Sequence, residues 1–160
     1  MKREAKYMTD LYHKNLLLFQ KKSPVLYKEI TSGKPMYKTK IEKVQGQFNY
    51  ILENEKNRCF IHSMYSIERE TEKVFENADK NASALILFGM GAGYYFSYIK
   101  KNFPHLKHLI IVEPNVEFFK EMLKFIDFGK LNSKIKSVMF LINKKPEEAV
   151  EFLTGEFKKY

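Results

Sequence analysis

The residues with the most chemical potential in this chain are five in a row, Gly89-Met90-Gly91-Ala92-Gly93. They follow the apolar run Ala84–Phe88 and precede the aromatic run Tyr94-Tyr95-Phe96. Glycines at this spacing let the backbone approach a phosphate, a ribose or an amino-acid moiety closely. A helix that starts there also attracts negative charge. Glu113 lies twenty residues beyond Gly93, and an acid at that distance can accept hydrogen bonds from ribose hydroxyls. Asn115 follows it and Tyr94, at the helix start, could stack on a ligand ring. The run reads G-x-G-x-G-Tyr, so it is not the dinucleotide fingerprint, which needs glycine or alanine where Tyr94 stands. The plainer alternative is that the glycines only allow tight packing of strand on helix and that Glu113 is a solvated loop residue before Pro114.

A second constellation is His62-Ser63-Met64-Tyr65 with Glu70. A loop of this kind could fold over the mouth of the glycine turn, with His62 as a general base and Ser63 or Tyr65 as hydrogen-bond donors. On the other reading His62 and Ser63 tie down backbone groups, Tyr65 packs, and Glu70 complements a helix N-terminus. His105 and His108 have no carboxylate or cysteine nearby in sequence and read as a surface loop, so no metal site is expected. His13 reads as exposed. Cys59 is the only cysteine, which excludes an intrachain disulfide, and it reads as a small core residue.

The elements that must position these groups follow from periodicity. Ala5, Met8, Leu11, Tyr12, Leu16 and Phe19 share one face of a helix over about Arg3–Lys21. Ser23-Pro24 opens a short second helix that Gly33-Lys34-Pro35 breaks. Met36–Leu52 predicts a β-hairpin turning at Gln45-Gly46, and Arg58–His62 a short strand. Ser66 caps a helix over about Ile67–Asp79 with Ile67, Thr71, Val74, Phe75 and Ala78 inward. From Ser83 onward strands and helices alternate. Ala84–Phe88 is a buried strand, Tyr94–Asn102 a helix and His108–Val112 a strand. Asn115 caps a helix, Ser137–Ile142 is a strand, and Pro146 opens the last helix.

Alternation of this kind implies right-handed crossovers between parallel strands. The expected fold class is α/β. Residues 63–160 form a Rossmann-like, methyltransferase-like half-unit, and residues 1–62 form a small α+β subdomain before it. A doubly wound sheet continues to a fourth strand beside the first. The expectation is therefore a piece of a longer protein.

Composition narrows the class of partner. The 160 residues carry 28 Lys and Arg against 19 Asp and Glu, a formal charge of +9. Only Arg3, Arg58 and Arg69 are arginines, and the lysines fall singly along element faces. Specific base or phosphate readout leans on arginine forks, so no specific nucleic-acid binding is expected. No apolar run approaches the roughly 20 residues of a membrane span. With no export signal and a single cysteine, the cytoplasm is the expected compartment.

Glycine turn plus strand-tip acid resembles the first two motifs of S-adenosylmethionine-dependent methyltransferases. Those enzymes usually carry an acid within the first strand, where this chain has Leu85-Ile86-Leu87-Phe88. A broader resemblance is to the motility-associated factor (Maf) family, bacterial proteins that resemble sialyltransferases and glycosylate flagellin. It rests on Lys14-Asn15-Leu16, His62-Ser63-Met64-Tyr65, Gly89-Met90-Gly91-Ala92-Gly93-Tyr94 and Val112-Glu113-Pro114-Asn115, in that order. Ser66-Ile67 stands where that family often has Asp-Pro. The resemblance implies a larger protein whose central domain transfers a nonulosonic sugar from a CMP donor to flagellin. This chain would then be an N-terminal, non-catalytic domain, with flagellin and the downstream domains as its partners. The candidate ligand residues are Gly89, Gly91, Gly93, Tyr94, Glu113, Asn115, His62, Ser63 and Tyr65. The ligand would be of nucleotide type, a CMP-sugar or S-adenosylmethionine.

Overall fold

A computed structural model describes residues 2–35, 40–44, 49–53, 55–131 and 135–157. The chain opens with helices α1 (Lys2–Lys22) and α2 (Pro24–Ser32), then strands β1 (Lys40–Val44), β2 (Asn49–Glu53) and β3 (Arg58–Phe60). Helix α3 (Ile67–Val74) leads to β4 (Ala84–Phe88), α4 (Tyr94–Asn102), β5 (His108–Glu113), α5 (Val116–Met122), α6 (Phe128–Leu131), β6 (Ser137–Ile142) and α7 (Pro146–Phe157). The predicted turn at Gln45-Gly46 lies outside the described residues. No helix among them is long and apolar enough to cross a membrane.

Two three-stranded sheets result. β1, β2 and β3 form an antiparallel meander in which Val44 faces Asn49 and Ile51 faces Phe60. β4, β5 and β6 are parallel and lie side by side in that order, with Leu87 opposite Ile111 and Ile111 opposite Phe140. The fold is the expected α/β, Rossmann-like half-unit.

The parallel sheet has two unequal faces, because alternate residues of a strand point to opposite sides. One face carries Leu87, Leu109, Ile111 and Ile142, and packs under α4 and α5 through residues such as Phe96, Ile99, Phe119 and Met122. The same cluster takes in Phe19 of α1, Leu26 and Ile30 of α2 and Tyr50 of β2, so the core runs without a break across residue 62. The opposite face carries Val112 and Leu141 with Ile86 and Ile110 beside them, and meets Ala149 and Leu153 of α7.

Several expectations shift at element ends. β4 is half-exposed rather than buried, with Ala84 and Phe88 open to solvent, because it is the outer strand of its sheet. α3 stops at Val74, short of Asp79. Phe75 leaves the helix to stack on Tyr98 at 5.1 Å, and Lys80 Nζ donates to the Phe75 carbonyl at 2.5 Å. Val74 then faces solvent, whereas Thr71 and Phe75 are buried as expected. Cys59 is exposed on the short strand β3 instead of sitting in the core. Ser66 and Asn115 do cap their helices, accepting from the Arg69 and Phe118 amides at 3.2 and 3.0 Å.

Asn15 shows how α1 is tied to the rest. It lies fully buried one turn after Leu11, on the face that packs inward. Its amide donates to the carbonyls of Leu123 and Ile126, both at 2.8 Å, and its oxygen accepts from the Phe128 amide at 3.1 Å. The two carbonyls lie in the irregular chain between α5 and α6, and the Phe128 amide opens α6, where it has no partner within the helix. Beside it, Lys14 pairs with Asp127 at 2.8 Å.

Asn15→Leu should therefore cost about 3 kcal/mol in urea unfolding, because it strands buried backbone groups at both helix ends. Lys14→Ala, at the exposed end of the same contact, should cost under about 1 kcal/mol. A smaller loss for Asn15→Leu than for Lys14→Ala would contradict this account.

Candidate functional site

The glycine turn is held from two sides. On one side stands His62, completely buried at the end of the meander, just past β3. The Ala92 amide donates to His62 Nε2 at 2.8 Å. An N–H can only donate, so Nε2 must be the unprotonated nitrogen and Nδ1 carries the proton. Nδ1 then donates to Glu70 Oε1 at 2.9 Å. The tautomer is fixed at both ends.

Glu70 collects three donors. Besides His62, the Tyr95 hydroxyl donates to Oε1 at 2.8 Å and the Ser63 amide to Oε2 at 2.5 Å. Burial pushes its carboxyl up, but the Ser63, His62 and Tyr95 bonds outweigh that and hold it below the ordinary carboxylate value. Burial, and then the facing carboxylate, push the Tyr95 hydroxyl well above its ordinary value, so it stays a donor.

Asn49, at the start of β2, fixes the backbone of His62. Its side-chain amide donates to the His62 carbonyl at 2.8 Å, and its oxygen accepts from the His62 amide at 3.0 Å. Asn49 is fully buried, and its position before a polar–apolar strand gives no hint of this role. The ring of His62 also meets Tyr94 and Tyr95 edge-on, with centroids at 5.1 and 5.5 Å.

On the other side stands Glu113, at the tip of β5 and 5% exposed. Its Oε2 accepts from the Met90 amide at 3.2 Å and its Oε1 from the Asn115 amide at 3.0 Å. Burial raises its carboxyl above the ordinary value, against the two amides that lower it. Glu113 is thus no solvated loop residue: it bolts the turn to the next strand. Asn115 spends its side chain on capping α5.

The conformation of the turn explains its glycines. Gly91 has φ +54°, and a Cβ built on it would lie 2.5 Å from His62 Cε1. Gly89 has φ +77° but faces open space. The left-handed backbone therefore suits glycine at both positions, and only Gly91 also needs the missing Cβ to admit the histidine ring.

The predicted site residues divide accordingly. His62, Gly91 and Tyr94 come together, joined by Glu70 and Tyr95. Gly89, Glu113 and Asn115 come together at the strand tips. Between the strand tips and the meander lies a cleft of about 420 Å³, lined by Leu52, Ile61, Phe88, Gly89, Glu113 and Lys144 among others. Gly93 lies at the start of α4, and a Cβ there would meet Ile126 at 2.9 Å. Ser63 Oγ accepts from the Tyr65 amide at 3.1 Å, and Tyr65 itself projects fully into solvent beside a shallow hollow shared with Ser63 and Tyr94. Asn49 and Tyr95 complete the network without any place in the sequence constellations, whereas Glu70 stood in the second one beside His62. Glu70 alone carried a signal in the sequence, as an acid in the first turn after a capping serine. Chemically, the arrangement organises backbone. His62 has both ring nitrogens engaged, and Ser63 Oγ faces amides, not a base. No cluster of three metal-ligating side chains occurs among the described residues.

Two measurements test this construction. Gly89→Ala should cost about 1–2 kcal/mol, the penalty of left-handed backbone, and Gly91→Ala about 3 kcal/mol or more because overpacking adds to it. In a His62→Ala background the Gly91 penalty should fall to the Gly89 level, and an unchanged penalty would disprove the close packing. The two carboxyls also predict opposite pH slopes. Glu70, lowered in the folded chain, stabilises fully above the ordinary carboxylate range and loses that contribution as pH falls through its folded value. Glu113, raised, contributes fully below that range and loses its contribution as pH rises through its folded value. Urea midpoints followed through acid pH should therefore fall less steeply towards acid in Glu70→Gln, the share of Asp127 remaining, and more steeply in Glu113→Gln, which loses the opposing contribution.

Known proteins place this geometry. No curated protein matches the chain. Among solved structures it is similar to the MAf glycosyltransferase from Magnetospirillum magneticum AMB-1, at a TM-score of 0.66 and 14% identity. That likeness covers 91% of this chain and 29% of the other, so the chain spans under a third of that protein's length. At this identity it speaks for the fold, Rossmann-like unit and preceding elements together. The family model described as the glycosyltransferase Maf N-terminal domain matches residues 54–160, the stretch that contains His62, Glu70, the glycine turn and Glu113. The chain belongs to the Maf glycosyltransferase N-terminal domain family.

Proposed function

We propose that this chain is the N-terminal, non-catalytic domain of a Maf-type protein that glycosylates flagellin, with nonulosonic sugar transfer carried out by a downstream domain. One observation carries the reading. The turn that would bind a nucleotide phosphate already has internal acceptors: Glu113 takes the Met90 amide and His62 takes the Ala92 amide. A carboxylate at the phosphate-binding amides also repels a second anion. A domain built this way is suited to hold a rigid frame, on which other domains and flagellin are positioned.

The cleft beside Glu113 supports a second reading, a small-molecule site of the S-adenosylmethionine or CMP-sugar kind. Each Glu113 oxygen keeps a further lone pair that ribose hydroxyls could use. The two readings part in calorimetry. A ligand-binding domain takes up S-adenosylmethionine or CMP at millimolar concentration, and a Gly91→Val variant loses the heat. The non-catalytic reading expects no heat from either compound.

Transfer assays test the first reading directly. The chain alone should move no sugar from a CMP-nonulosonic donor to flagellin, while a longer protein containing it should. His62→Ala in that longer protein should lower its melting temperature and leave the transfer rate per folded molecule unchanged. A loss of about 10²–10⁴-fold per folded molecule, the effect of removing a general base, would make His62 catalytic and overturn the reading.

A further inference from the structure

Another cavity lies at the end of the parallel sheet away from the glycine turn. It opens where β5 begins, between the last turn of α4 and α6, and has a volume of about 370 Å³. That is towards the small end of the range for ligand sites. Its floor is Ile99, Phe103, Leu106 and Leu109, none of them more than 5% exposed. All four belong to the main core and are packed from behind, so the cavity does not close by shifting them. Ligands of open parallel sheets gather at the opposite, carboxyl ends of the strands. The topology of the sheet therefore gives no account of a cavity here.

The rim carries charge of one sign. Lys100 of α4 and Lys130 of α6 line the cavity, and no Asp or Glu is among the described residues that do. Both lysines are exposed. Lys101, Lys107 and Lys136, each next in sequence to a lining residue, are exposed as well. Asp127 stands 3.8 Å from Lys130, but the same carboxylate oxygen is already held by Lys14 at 2.8 Å. A lysine in the last turn of α4 balances the helix dipole. That does not explain Lys130, which comes to the same apolar floor from a different element. A floor without charge favours an apolar body, and a cationic rim favours an anionic end. A peptide laid across this floor would press its own N–H and C=O groups against apolar side chains without partners. A short chain or ring with one acidic end carries no such cost.

We infer that this cavity binds a small amphiphilic anion, a short apolar chain or ring that ends in one carboxylate. The apolar part lies on Ile99, Phe103, Leu106 and Leu109. The carboxylate meets the ammonium groups of Lys100 and Lys130, whose methylene stems extend the apolar wall. The site is separate from the cleft beside Glu113, because the two lie at opposite ends of the same strands. It does not depend on which function the glycine turn serves.

Octanoate, octanol and octylammonium share one tail and differ in the charge of the head, so together they test the site. Each is titrated at low salt into the 160-residue chain while backbone amides are followed by NMR. Octanoate should bind at millimolar concentration or below. It should shift the amides of Lys100, Phe103, Leu106 and Lys130 and leave those of Met90, Ala92 and Asn115 in place. It should bind about tenfold more tightly than octanol, the combined effect of two exposed charge pairs, and octylammonium should shift none of these amides. Replacing both lysines, Lys100→Gln with Lys130→Gln, changes only exposed side chains and should leave the fold intact. That variant should bind octanoate no better than octanol, with octanol binding unchanged. Equal binding of octanoate and octanol by the unaltered chain would overturn the proposal. So would an undiminished octanoate affinity in the double variant, shifts centred on Met90 and Ala92, or no shift at millimolar octanoate. A capped acidic pentapeptide with a central phenylalanine that shifts the same amides at lower concentration than octanoate would assign the cavity to a protein partner. Shifts of those amides that grow with protein concentration alone would assign it to a second copy. Either result also overturns the proposal.

Discussion

Much of this domain depends on one hydrogen bond, from the Ala92 amide to His62 Nε2 at 2.8 Å. It joins residues thirty positions apart and brings the meander against the first turn of the Rossmann-like unit. It also dictates what surrounds it. Nε2 must stay unprotonated, so Nδ1 must donate, and Glu70 is there to accept. The ring needs room, so residue 91 must lack a Cβ. The imidazole needs a fixed backbone, and Asn49 grips its amide and carbonyl. Each neighbour can be derived from the preceding one by a rule of donor, acceptor or space.

The two carboxylates that bracket the turn sit at different depths and end on opposite sides of the ordinary value. Glu70 receives three donors, among them a tyrosine hydroxyl and a histidine N–H, and ends below its ordinary value. Glu113 receives two amides at 3.0 and 3.2 Å, which do not offset its deeper burial. Depth of burial, and then the number of donors, decides which of them keeps its charge more readily. Glu113 is consequently the less settled of the two, and it is the one that borders a cleft. Buried carboxyls short of donors are where binding sites are sought, which is why the second functional reading attaches to Glu113 and not to Glu70.

Legibility in the sequence followed the range of the interaction. The strand, glycine turn and helix at 84–102 were readable, because apolar runs, turn glycines and helix starts are local patterns. So were the caps at Ser66 and Asn115. The order of motifs around His62, Gly89–Tyr94 and Glu113 was enough to indicate the family. What could not be read was long-range. Nothing local marks Asn49 or Asn15 as buried, since each earns its place by satisfying backbone groups far along the chain, at 62 and at 123–128. Cys59 was expected inside by its residue type, but β3 is too short and too peripheral to bury it. β4 was expected buried because its five residues are all apolar, a composition that suits an interior strand. The structure leaves it at an edge. There the composition agreed with a fully paired strand, and the described chain does not provide the pairing.

That mismatch bears on how the domain is built as a whole. The face under α4 and α5 also draws on α1, α2 and β2, and its cluster of buried residues runs from Phe19 to Ile142. Among the described residues the cluster between the other face and α7 has four buried members, two of them on α7 itself. A sheet buried on both sides is the rule for parallel strands, because crossover helices cover them. Here the network around His62 anchors the glycine turn beside the more deeply buried face. The turn is thus locked from within by His62 and Glu113, while the strand that leads into it is open along its edge.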